Sequence, residues 1–196
     1  MSTSRYSLSF TTGAALISES VVVAELYVEL GDWSSVRGKV LTENYLQSRT
    51  VSTLKKLYGE VSRRLRHLTD EQLSLLATGT ETQAKQLIWL AICKQYKFIY
   101  DFTIEVIVPQ YETARFLLTH EDYDAFFNTK AEWHDNLDLA SMKTKSKARQ
   151  VFFKMMKECG LIGDGNELQH QKLDEQLMQV IKESSSNELL LYPGMG

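Results

Sequence analysis

The chain has 196 residues, of which 43% are hydrophobic and 24% charged, a composition typical of a soluble globular protein and not of a disordered one. Its formal net charge of -3 excludes a surface that is positive throughout, so any site for a polyanion must be local. Only 2 Pro and 10 Gly disfavour an all-β fold, which needs many turns.

Secretion and membrane insertion are not indicated by the sequence. The N-terminal segment 1–16 lacks the continuous apolar core of a signal peptide. The apolar-rich stretch 86–109 is interrupted by charged and polar residues, which excludes a membrane span. Cys93 and Cys159 occupy apolar positions of helical patterns, so we expect buried free thiols, with a disulfide as the unsupported alternative. The sequence therefore predicts a cytoplasmic protein without a membrane partner.

Helical periodicity dominates the first half of the chain. We expect one helix at 20–30, ended by Gly31, and a second at 34–43, where two serines offer capping hydroxyls. The next helix begins at Thr50 and carries a single apolar stripe as far as Leu68.

The pattern then predicts a long central helix over 81–108. Pro109 is expected to end it, because proline lacks the amide donor and disfavours helix in the residue before it. We accordingly divide the chain into an N-terminal helical domain at 1–115, a C-terminal domain at 116–184 and a loose tail at 185–196. The fold class is mainly α.

The stretch 143–165 concentrates positive charge, with six Lys or Arg against two acidic residues. At 100° per residue its apolar side chains fall on one face of a helix and its Lys and Gln on the opposite face. Gly160 ends this helix, and the sequence GLIGDGNELQ that follows predicts a small β-hairpin around an Asp-Gly turn. Helix, turn, basic helix and hairpin is the order of a winged helix-turn-helix, whose second helix enters the DNA major groove.

We therefore assign a candidate DNA-binding surface to this basic helix. Its Lys and Arg would neutralise phosphates, and Arg149 or Gln150 would reach base edges. The alternative is an ordinary solvated helix face. The candidate residues are Lys143, Lys145, Lys147, Arg149, Gln150, Lys154 and Lys157.

A second basic helix follows Thr50, and only Glu60 opposes its positive charge. Together with helix 34–43 it forms a helix-turn-helix-like pair. Its candidate DNA contacts are Lys55, Lys56, Arg63, Arg64 and Arg66. Acidic charge is concentrated elsewhere: segment 121–138 holds six Asp or Glu against Lys130, and would either orient the protein by repulsion or bind a protein partner.

Catalytic and metal-binding patterns are not predicted. The carboxylate–imidazole neighbours at 120–122 and 132–135 are adjacent in sequence, and no second cluster completes a site. The sequence contains no phosphate-binding glycine loop and no nucleophile elbow. We expect a protein that is not an enzyme, with no cofactor, no metal and no small-molecule substrate.

Four segments carry a resemblance to a known family. They are YSLSFTTG at 6–13, NYLQSRT at 44–50, LTHEDYDAFFN at 118–128 and KAEW at 130–133. Together they resemble the BrxA family, small components of bacteriophage exclusion (BREX) defence systems, from about residue 5 to the tail. The resemblance implies a cytoplasmic, largely helical protein that binds double-stranded DNA and acts beside other defence components. It implies no cofactor and assigns no individual contact residue.

The hypothesis is a non-enzymatic double-stranded DNA-binding protein of a phage-defence system. The first alternative is a protein–protein adaptor. Its basic helices would bind acidic surfaces of partner proteins, and segment 121–138 would bind basic surfaces. RNA binding is the second, because basic helices also suit RNA.

Overall fold

The computed structural model describes residues 6–195, and most of that part of the chain is helical, as expected for the mainly α fold class. Eleven α-helices occur there: α1 Ile17–Leu30, α2 Trp33–Glu43, α3 Val51–Leu65, α4 Asp70–Thr78, α5 Glu81–Gln95, α6 Lys97–Phe102, α7 Val108–Glu112, α8 His120–Ala131, α9 Asp135–Asp138, α10 Met142–Glu158 and α11 Glu175–Ser184. A π-helical segment, Thr103–Ile107, joins α6 to α7, and 3-10 helices cover Ser9–Thr12 and Ser186–Leu191.

Local capping fixes the ends of the first three helices. α1 ends at Gly31, as predicted, and the φ of +66° there is the left-handed conformation that favours glycine. The carboxylate of Asp32, and not the expected serine hydroxyls, caps α2 by accepting from the Ser35 amide at 2.7 Å. The Thr50 hydroxyl accepts from the Thr53 amide at 3.1 Å and begins α3.

The prediction of one helix over 81–108 is wrong. α5 ends before Tyr96, whose backbone is extended (φ -119°, ψ 96°) and whose buried hydroxyl donates to Glu60. Pro109 does not end the helix but lies in the first turn of α7, where its missing N–H is not needed. Within the described part of the chain, no helix combines the length and the apolar character that a bilayer span requires.

One hydrophobic core runs through the parts of the chain that were predicted as separate domains. α1 packs against α3, α4 and α5. The ring of Phe102 in α6 packs edge-to-face on Phe126 in α8, with centroids 5.2 Å apart, and on Phe152 in α10, at 5.0 Å. These aromatic contacts tie the second half of the chain to the first. The division after residue 115 stays a prediction.

Part of the segment 185–196, which the sequence predicts as a loose tail in which Leu189 to Leu191 could dock, packs on the core. Leu191 and Tyr192 are buried. The indole N–H of Trp89 donates to the Leu191 carbonyl at 3.1 Å, and the Tyr192 hydroxyl donates to the Gln86 carbonyl at 2.8 Å. Burial of two large side chains together with paired polar groups explains why this segment is fixed on α5.

The predicted β-hairpin after α10 is not confirmed, since residues 6–195 contain no strand. Instead, two isolated antiparallel bridges pair Ile162 with Leu168 and Leu117 with Glu167. Each of the paired segments is only a few residues long before the chain continues into α8, α10 or the segment that leads to α11. A continuous series of hydrogen bonds between strands therefore does not form.

The two cysteines are free and buried, as predicted. Burial raises the pKa of Cys159 to about 12, and it raises the pKa of Cys93 as well. Both thiols are therefore protonated at neutral pH, which keeps them unreactive.

Candidate nucleic-acid interface

α10 separates an apolar face from a basic one. Phe152, Met155 and Met156 are fully buried on its inner side. The helix begins at Ser141, whose hydroxyl accepts from the Thr144 amide at 3.2 Å. On the outer side, Lys143, Lys147, Gln150, Lys154 and Lys157 are exposed, and Lys145 and Arg149 are half-buried.

A groove of about 660 Å³ runs along α10 from Ser146 to Lys157. Arg149, Lys154 and Lys157 line it with positive charge. His120, at the start of α8, and Asn166, after the Asp-Gly turn, complete its walls. None of the described residues that line the groove is a carboxylate. Asp124 and Glu158, which pair with two of these cations, are not among the lining residues. A groove lined by several cations attracts a polyanion even when the whole chain is acidic.

The cations of α10 are held only by weak surface contacts. Arg149 pairs with Asp124, and the Lys154 ammonium lies 3.6 Å from Glu158. The Lys157 ammonium donates to the Asp164 carbonyl at 2.9 Å. Exposed pairs of this kind contribute about 0–1 kcal/mol each, so a phosphate can replace them at little loss.

The basic face of α3 lines a separate groove of about 340 Å³ between α2 and α3. Lys55, Arg63 and Arg66 contribute to it, together with Arg37 from α2. The Arg66 guanidinium also lies over the Trp33 ring, 4.9 Å from its centroid. Lys56 is exposed outside this groove.

The prediction that Arg64 contacts DNA is wrong, because its side chain is only 1% exposed. Its guanidinium donates to Glu60 at 2.8 and 3.1 Å and to the carbonyls of Ala14 and Ala15 at 2.8 and 3.1 Å. Burial by itself raises the pKa of the Glu60 carboxyl. The Arg64 charge and the hydrogen bonds from Tyr96, Arg63 and Arg64 outweigh burial, so the pKa of Glu60 is lowered. Arg64 is thus the internal partner of a buried carboxylate and cannot reach a phosphate.

The two grooves do not merge into one site, since they share no lining residue. The segment around Ala15 nevertheless links the two helices. Its carbonyl accepts from Arg64 of α3, and its amide donates to Glu158 of α10 at 2.7 Å. This connection fixes the positions of the two helices relative to each other.

Sequence reasoning missed three groups that line the grooves. Arg37 is not among the candidate residues, and it enters the α3 groove because α2 packs beside α3. His120 and Asn166 enter the α10 groove through the start of α8 and the turn after α10. Only the fold brings them there. Within residues 6–195, no three His, Cys, Asp or Glu side chains are grouped so that they could hold a metal ion.

Comparison with known proteins identifies the family. The BrxA family model matches residues 4–185. A relative named BREX protein BrxA from Bacillus cereus (strain H3081.97) is 23% identical over 145 residues, 74% of this chain and 72% of the relative. One of the same name from Escherichia coli O9:H4 (strain HS) is 25% identical over 150 residues, 76% of this chain and 70% of the relative.

The fold is shared over the whole length. A third BREX protein BrxA, from Paramagnetospirillum magneticum (strain AMB-1), is 21% identical over 192 residues, 97% of this chain and 96% of the relative. The crystal structure of an uncharacterized protein from Magnetospirillum magneticum matches with a TM-score of 0.84 at 20% identity, covering 98% of this chain and 100% of that one. With the family model matched over nearly its entire length, the chain belongs to the BrxA family of BREX phage-defence proteins.

Proposed function

We propose that this BrxA protein binds double-stranded DNA, without catalysing a reaction, as its part in BREX phage defence. The observation that carries the proposal is the groove along α10 that Arg149, Lys154 and Lys157 line with positive charge, in a chain whose net charge is -3. A protein gains nothing in stability by clustering like charges there, since exposed like charges repel. A polyanionic ligand explains the clustering.

Phosphate contacts on α10 come from Arg149, Lys154 and Lys157, which share the groove. Gln150 lies among them and has the amide that reads adenine in the major groove. The exposed Lys143 and Lys147 extend the positive surface toward the start of the helix. Backbone phosphates would thus fix the register, and one side chain would sense sequence.

The turn after α10 supports a wing-like role. The segment 116–118, before α8, pairs with the segment 166–168 through Leu117 and Glu167. The segment 166–168 also pairs with Ile162, through Leu168. These bridges join the segment before α8 to the segment after α10, and a wing beside the basic helix is part of the proposal. The Asp164–Gly165 tip of this turn is exposed, but the Asp164 carboxylate repels phosphate, so the cations of α10 and not the tip would contact the DNA backbone.

Fluorescence anisotropy with a labelled duplex, at several salt concentrations, tests the proposal. We expect tight binding at low salt, with log K falling by about 0.9 per neutralised phosphate per log unit of salt. The double variant Lys154→Glu/Lys157→Glu should bind roughly an order of magnitude more weakly, and its salt slope should be smaller by about 2. The matched control is Lys172→Glu/Lys182→Glu, because these lysines are exposed and line neither groove.

The rival functions give different results in the same assay. Undiminished binding by Lys154→Glu/Lys157→Glu would remove α10 from the site. Structured RNA that displaces duplex DNA at equal concentration would favour RNA as the ligand. No shift with DNA at about 50 mM salt, where electrostatic contacts are strongest, would contradict the proposal and favour a protein adaptor.

A further inference from the structure

Three large apolar side chains point into solvent within one short stretch. Trp133 is 79% exposed, Leu139 is 82% exposed and Met142 is 79% exposed. No other large hydrophobic among the described residues reaches these fractions. We call residues 132–142, from the end of α8 through α9 to the first residue of α10, the acidic corner.

The backbone of the acidic corner is fixed by side chains that point inward. Leu137 is fully buried, and the Asn136 amide donates to the carbonyl of Tyr6. The His134 ring lies 4.1 Å from the Tyr6 ring, centroid to centroid. Inward anchors therefore alternate with the exposed residues, so Trp133 and Leu139 are presented on an ordered scaffold. A preorganised surface loses little conformational entropy when a partner binds.

The charge of this corner is of one sign. Glu132, Asp135 and Asp138 are exposed, and the segment contains no Lys or Arg. Among residues 6–195, no cation lies within ion-pair distance of these three carboxylates. Positive charge flanks the segment at Lys130, which pairs with Glu105, and at Lys143, the next residue of α10.

We propose that the acidic corner is the docking surface for another protein, through a segment of that protein in which basic residues flank large apolar side chains. Aromatic and aliphatic anchors surrounded by charge are the composition of protein interfaces. The three carboxylates require positive charge opposite them, because complementary charge speeds association and rejects other partners.

Two other occupants fit the charge less well. A phosphate backbone is repelled by the carboxylates. A second copy joined by twofold symmetry would bring the same three carboxylates face to face, which is unfavourable. The partner is therefore a different protein, and it can bind while the α10 groove holds DNA. This inference does not rest on the DNA proposal.

Site-specific crosslinking tests the inference. A photoreactive amino acid replaces Leu139 in the full-length chain, in cells that contain the complete BREX system, and crosslinked peptides are identified by mass spectrometry. Val28 on α1, 49% exposed, is the matched control position. We expect position 139 to crosslink a peptide from another protein that carries net positive charge and large apolar residues, and position 28 to give none of that peptide.

Charge reversal supplies the second arm of the experiment. Asp138→Lys should lower the yield of that crosslink by about fivefold at physiological salt, whereas Glu25→Lys, an exposed carboxylate on α1, should leave it unchanged. Thermal unfolding confirms that Asp138→Lys and Glu25→Lys are folded. If the unmodified chain binds duplex DNA, anisotropy with the same duplex provides a second check of both variants.

Several results would overturn the inference. The first is a crosslinking yield at position 139 that is no higher than the yield at position 28. The others are a crosslink at position 139 to a second copy of this chain, to a peptide without net positive charge, or to nucleic acid. If duplex DNA fails to bind but the basic peptide is crosslinked, the DNA proposal falls and the docking surface stands.

Discussion

The basic helices α3 and α10 look alike in sequence, yet the fold uses their cations differently. On α10 every Lys and Arg lies at least partly at the surface, and two of them, Arg149 and Lys154, form weak surface ion pairs. On α3 one of the four cations, Arg64, is buried as the partner of Glu60 one turn earlier. It follows that a cation beside an apolar stripe, with a carboxylate four residues before it, is a candidate for an internal ion pair. Counting charges on a helix does not distinguish the two cases.

The largest expected effect comes from breaking the internal pair. Arg64→Ala leaves the Glu60 carboxylate buried with its main partner removed, and we expect a loss of about 3–5 kcal/mol in the free energy of unfolding. Urea denaturation measures it. Lys56→Ala, an exposed cation on the same helix, is the control and should change stability by no more than about 0.5 kcal/mol. Equal stability of the two variants would show that Arg64 does not stabilise the fold.

The same pair predicts how stability depends on pH. The folded pKa of Glu60 lies below its ordinary value of 4.5, on balance because of Arg64 and the hydrogen bonds from Tyr96 and Arg63. A group with a lowered folded pKa contributes its stability above the unfolded pKa and loses it as pH falls through the folded pKa. The free energy of unfolding should therefore drop more steeply below about pH 4.5 in the unmodified protein than in Glu60→Gln. Parallel profiles would contradict this assignment.

A smaller effect distinguishes the two grooves. Lys154→Glu/Lys157→Glu in the α10 groove should weaken duplex binding by roughly an order of magnitude, and Arg37→Glu/Lys55→Glu in the α3 groove by only a few-fold. The reason is that Gln150, whose amide can reach a base edge, lines the α10 groove, whereas the described residues that line the α3 groove include no Asn or Gln. Anisotropy titrations under one salt condition compare the two. A larger loss from the α3 variant would make α3 the main DNA surface.

Much of the fold follows from the sequence, because capping and apolar period are local signals. Thr50 and Gly31 mark helix ends in the sequence as they do in the structure. The break at Tyr96 is not local: its hydroxyl binds Glu60, which is far away in sequence. The apolar pattern continues across that break and conceals it.

The candidate site, too, is predictable from the sequence only where local patterns define it. The outward face of α10 follows from helical angles, since one helix is enough to define it. The walls of its groove come from His120 and Asn166, which only packing brings to α10. The burial of Arg64 depends on carbonyls of the segment before α1, so the pattern of α3 alone could not indicate it.

The smallest expected effect concerns the first turns of the two basic helices. Thr50 caps α3 and Ser141 caps α10 with nearly the same geometry, at 3.1 and 3.2 Å from the amides three residues on. Thr50→Ala and Ser141→Ala should each lower the free energy of unfolding by about 1 kcal/mol, measured by urea denaturation.

The two cap variants also locate the DNA along α10. The α10 groove begins at Ser146, beyond the first turn, so fraying at Ser141 should leave duplex affinity unchanged within about twofold. If Ser141→Ala weakened DNA binding about tenfold while Thr50→Ala did not, the first turn of α10 would itself contact DNA. The acidic corner at 132–142 would then lie beside the phosphates, a position that its carboxylates oppose. An unchanged affinity therefore supports both the position of the groove and the separation of the two surfaces.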